Sequence, residues 1–70
     1  MDRKLFLLSQ LEAIAKNSHD GHLTVLRFTT NWRIGFGTMV DREDVAKLAD
    51  GVTFEDAAGK VIANPKIYVI

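Results

Sequence analysis

Two imidazoles and a carboxylate fall within four positions at His19-Asp20-Gly21-His22. Imidazole nitrogens and carboxylate oxygens are donors that zinc and its neighbours accept. The spacing fits no helical or strand pair of ligands, however, and Asp-Gly is a common turn dipeptide. The chain has no cysteine and no third histidine, so a complete site would need Glu12 or a second copy of the chain. The expectation is an exposed turn, with no metal and no cofactor.

Nucleophilic chemistry finds no better support. Ser9, Ser18 and the threonines stand outside any glycine-flanked elbow, and no pattern ties one of them to a base. Gly35-Phe36-Gly37-Thr38 lacks the lysine and the helix start of a phosphate loop. A strand with small residues on one face explains it better. Acids are plentiful, but none is forced into an apolar setting. No catalytic residue is assigned, and the chain is expected not to be an enzyme.

A binding reading gathers at Arg27, Trp32 and Arg33, close to Thr29, Thr30 and Asn31. An indole flanked by guanidinium groups suits stacking against single-stranded nucleic acid, and the same pairing is frequent at protein hot spots. The plainer alternative folds Trp32 over the edge of the core and leaves the arginines solvated or paired with acids. Nine basic residues cancel nine acidic ones, which favours protein contact over nucleic acid. Under the nucleic-acid reading, Lys60 and Lys66 would add further cations. The acids concentrate in the second half, at Asp41, Glu43, Asp44, Asp50, Glu55 and Asp56, where capping and solvation of two helix starts account for them.

These side chains must be carried by a small frame. Seventy residues make a single domain, residues 1–70, whose stability should be about 4–10 kcal/mol. With 47% hydrophobic and 26% charged residues, the composition is that of a globular chain. Residues 3–17 read as an amphipathic helix capped by Asp2, with Leu7, Leu8, Leu11, Ile14 and Ala15 at helical spacing. Leu5 and Phe6 widen that stripe and hint at self-association. Leu23 to Thr29 and Trp32 to Thr38 read as a β-hairpin.

Two hairpin registers compete. A three-residue loop, Thr30 to Trp32, puts Leu26 and Phe28 on the face of Ile34 and Phe36, leaving Val25, Arg27, Arg33, Gly35 and Gly37 opposite. A two-residue loop at Thr30-Asn31 sets Ile34 and Phe36 beside Val25 and Arg27 instead. The first is preferred because it keeps both arginines off the core, with Asn31 suited to a left-handed conformation. Asp41 to Ala49 then reads as a short helix ending at Asp50-Gly51. A second helix follows, capped by Thr53, stapled by Val52 and ended by Asn64-Pro65. Gly59 weakens it by roughly 1 kcal/mol relative to alanine, and its expected use is to let the helix approach another backbone closely. The β-prone tail Lys66 to Ile70 should add a third strand or join another molecule's sheet.

The run Thr53-Phe54-Glu55-Asp56-Ala57 after two strands resembles the sheet-then-helix order of HicB-like antitoxin domains. The resemblance covers less than half of the chain, the long first helix departs from it, and it carries no site residues across. Arg3-Lys4 followed by Leu5 to Leu8 is too short an apolar run for a signal peptide, and no stretch is long enough to span a membrane. The expectation is a cytoplasmic α+β protein of two layers, in the order α-β-β-α-α with a C-terminal third strand. Helices cover one face of the antiparallel hairpin. Its expected role is a non-enzymatic interaction or regulatory module that forms a homo-oligomer or binds a protein partner. Weak nucleic-acid binding at the hairpin tip is the alternative.

Overall fold

The computed structural model describes residues 2–70. Helix α1 spans Arg3–Ser18, and its first turn is closed by Asp2, whose carboxylate accepts from the Lys4 N–H at 2.9 Å. Leu7, Leu11 and Ala15, each four residues after the last, are buried, and Leu8 and Ile14 flank them. The helix ends where Asp20 and Gly21 both take positive φ, so the chain turns sharply into strand β1, Leu23–Arg27. Strand β2, Trp32–Phe36, returns antiparallel.

The hairpin register differs from the preferred one. Val25 faces Ile34, Leu23 faces Phe36 and Arg27 faces Trp32. Phe28–Asn31 makes the reversal, closed by the Phe28 N–H donating to the Asn31 carbonyl at 2.8 Å. Asn31 does not take positive φ. The shorter hairpin loops generally need such a residue, and a four-residue loop built from right-handed conformations does not. The shift moves Leu26 to the face away from the helices and leaves Phe28 in the loop, 45% exposed. Leu23 and Val25 take their places beside Ile34 and Phe36. Arg27 shares that face yet avoids burial, because it sits at the end of an edge strand.

The segment after the hairpin is also shorter in helix than expected. Arg42–Lys47 forms a 3-10 helix, and Ala49–Gly51 is a strand, β3, paired antiparallel with β2. Strand pairing prevails at Ala49 because it satisfies the outer edge of β2 opposite Ile34. The sheet order is β1-β2-β3. Helix α2, Phe54–Ala63, starts at Thr53, whose hydroxyl accepts from the Asp56 N–H at 3.1 Å. Val52 is 76% exposed and staples nothing.

Gly51, and not Gly59, is the glycine that admits a close backbone. A β-carbon on Gly51 would run into the Ala57 nitrogen and the Asp56 backbone, whereas one on Gly59 would meet nothing within 4 Å. After Asn64 the tail turns back, and Val69 forms a parallel bridge with Phe36. The Phe36 N–H donates to the Tyr68 carbonyl at 2.9 Å and its carbonyl accepts from Ile70 at 2.8 Å. The C-terminal segment thus continues the β3 side of the sheet.

Both helices lie on the Ile34/Phe36 face. The core joins Leu7, Leu11 and Ala15 of α1 to Ile34, Phe36 and Ala49 of the sheet and to Phe54, Ala57, Ala58 and Val61 of α2. Phe36, Leu11, Ile34 and Val61 are its largest fully enclosed side chains, each contributing about 1.5–3 kcal/mol on burial. Ala57 and Ala58 let α2 lie close to the small residues of β3. The body is only 16 Å thick along its shortest axis, which suits one sheet and one helical layer.

Candidate functional site

Arg27 and Trp32 come together as a directly opposed cross-strand pair. The Arg27 guanidinium carbon lies 5.4 Å from the indole centroid. Trp32 meets Phe54 edge-on, with centroids 5.5 Å apart and planes at 75°. One aromatic side chain therefore links the start of α2 to the turn end of the hairpin, and a cation covers it. A stacking ligand would have to displace Arg27 from the indole, a contact worth about 0.5–1 kcal/mol at an exposed site.

Arg33 does not join them. Opposite Leu26, it points to the other face, where its guanidinium donates to the Val45 carbonyl at 3.4 Å. It shares that face with buried Gly35. A β-carbon there would sit 2.5 Å from Leu48 Cδ2 and 2.9 Å from the Tyr68 carbonyl oxygen. The 3-10 segment thus screens the far side of β2, and Arg33 helps to hold it. Lys60 is turned elsewhere, to Asp50 at 3.4 Å.

The two histidines separate. His19 lies flat on Phe36, with centroids 4.5 Å apart and planes within 3°. His22 Nδ1 lies 3.1 Å from the Thr38 hydroxyl. Among the described residues, no three histidine or acidic side chains gather as a metal would require. No pocket opens among them either.

The best organised acid is Asp44, which is buried. Its carboxylate accepts from the Asp41 N–H at 3.0 Å and the Val40 N–H at 2.9 Å, and it pairs with Lys47 at 3.1 Å. Those donors, the Asp41 and Val40 amides first, hold its pKa down to about 2 against a cost of burial. Asp50 is also lowered, mainly by its hydrogen bond with Lys60. Asp44 thus ties the loop to the start of the 3-10 helix, a structural task visible in the sequence only as one acid among several. Glu55 places one carboxylate oxygen, Oε1, out of solvent without a hydrogen-bond partner. It stands in the first turn of α2, whose amide dipoles favour negative charge.

Among the described residues the arrangement offers surfaces for contact and no enclosed volume. Compared with protein-family models, curated proteins and solved structures, the chain matches none.

Proposed function

We propose that this chain is a small, non-enzymatic, cytoplasmic protein-interaction or regulatory module that associates with itself. The observation that carries the reading is apolar surface left outside the core on the first helix and the hairpin. Leu5 and Phe6 of α1 are 61% and 49% exposed, and Phe28 stands out from the hairpin loop. A second surface would remove such groups from water at about 25 cal/mol per Å². The polar side chain with the most partners, Asp44, holds the loop at the start of the 3-10 segment, which supports a structural role for it. The apolar residues near the N-terminus are drawn into this core through Leu7 and Leu11, which supports a role inside the folded domain for that run.

Sedimentation equilibrium from micromolar to millimolar protein tests the reading. A mass that rises toward the dimer supports it, and a strict monomer throughout overturns it. The Arg27–Trp32 stack favours a second reading, weak binding of single-stranded nucleic acid. That reading requires quenching of Trp32 fluorescence by a DNA or RNA oligomer at low salt, reversed by added salt.

A further inference from the structure

The two edges of the sheet are finished differently. β3 is three residues long, its Gly51 lies against the first turn of α2, and the tail continues the same side. The opposite edge, β1, has five residues, Leu23–Arg27, in unbroken register with β2. It carries no proline, lysine or bulge, and its one charge, Arg27, sits at the turn end over the Trp32 ring.

The hydrogen-bond phase shows which groups are free. The His22 carbonyl accepts from the Gly37 N–H, and the Phe28 N–H donates to Asn31, so even-numbered positions bond toward β2. Phe36, opposite Leu23, directs both its backbone groups to the tail, as the same phase requires. Leu23, Val25 and Arg27 therefore aim their N–H and C=O groups outward, away from the sheet.

We propose that β1 pairs antiparallel with β1 of a second copy, about a twofold axis at Val25, so that the two sheets join edge to edge. This rests on the self-association reading above and places a contact at the β1 edge, which does not itself include Leu5, Phe6 or Phe28. The outward positions are spaced symmetrically about Val25, so one register uses them all. Val25 faces the partner's Val25, and Leu23 faces the partner's Arg27. A shift of one residue sets outward groups against inward ones, and a shift of two leaves an end residue unpaired. The strand is thus its own complement. Val25, 37% exposed on the helix side, meets an identical apolar side chain. Arg27 meets leucine and not another arginine, and a chain of zero net charge does not repel its copy.

The test uses charge at the axis. Val25→Lys and Val25→Glu should each shift the protein toward monomer at concentrations where the parent is dimeric, weakening association by up to about fivefold through like charges placed directly opposite. Mixed one to one at low salt, they should form a heterodimer, because residue 25 faces itself. Circular dichroism checks that each variant is folded. Val25→Cys supplies a second measurement in a chain with no other cysteine. The Cα separation across such a pair, about 5.5 Å, permits a disulfide, so oxidation should yield a covalent dimer. A dimeric parent whose charged variants stay dimeric, or whose Val25→Cys variant resists oxidation, overturns the β1 pairing and leaves self-association through another surface standing. A monomeric parent overturns both.

Discussion

Replacing Gly51 by alanine tests how β3 and α2 fit together. The residue is buried and its backbone is not in the left-handed region, so alanine incurs no conformational penalty and any cost is steric. The added β-carbon would lie 2.8 Å from Asp56 Cβ and 2.9 Å from the Asp56 carbonyl carbon, and against the Ala57 nitrogen. Ordinary carbon contacts lie near 3.5–4.0 Å, so the first turn of α2 must retreat by about 0.6–1.2 Å. That retreat pulls Phe54 and Ala57 from the sheet. Overpacking of this kind costs about 1–3 kcal/mol, a large share of the roughly 4–10 kcal/mol available to a chain this size. At about 4–8 °C per kcal/mol, a cost near the upper end lowers Tm by about 10–20 °C. Gly59→Ala is the matched control. It lies in the same helix with open space around it, and should raise stability by about 0.5–1 kcal/mol. Thermal and urea unfolding, followed by circular dichroism and Trp32 fluorescence, read both. A Gly51→Ala protein as stable as the parent would refute the close packing of α2 on β3.

Four further outcomes follow from the same packing. Leu11→Ala, at a fully enclosed position, should cost about 2–5 kcal/mol in urea unfolding. Phe28→Ser should stay within about 0.5 kcal/mol of the parent, and a core-sized loss there would restore the register that puts Phe28 under the helices. Asp44 stabilises the fold because its pKa falls from 3.8 to about 2 on folding. That contribution is complete above the unfolded value and drains away as pH falls from about 4 toward 2, since the unfolded chain takes up the proton first. Asp44→Asn should therefore lose less Tm than the parent across that window, and parallel Tm curves would contradict the assignment. Lys60→Gln should leave the urea midpoint unchanged at physiological salt, because both partners of the Asp50 pair are exposed; a clear drop would mean the pair anchors α2.

Much of the frame was legible in local chemistry. Asp2, the four-residue spacing of Leu7, Leu11 and Ala15, and the Thr53 cap state where two helices begin and which side of α1 is apolar. The β-branched and aromatic runs on either side of Phe28–Asn31 state that a hairpin forms. Local signals are strong there because capping and periodicity act within a few residues. The register was not legible, because Thr29, Thr30 and Asn31 offer several closures of similar cost. Tertiary packing chose among them through β2, whose Ile34 and Phe36 enter the core with Leu23 beside them, while Val25 stays 37% exposed. Nor did the sequence separate Arg27 from Arg33, since one residue of slip exchanges the two faces of a strand. Ala49 reads as the end of a helix until the bare edge of β2 stands beside it. The exposed edge of β1 has no local mark at all. A strand lies at an edge only through the order in which distant segments pair, and that order was decided when the tail and β3 took the other side of β2.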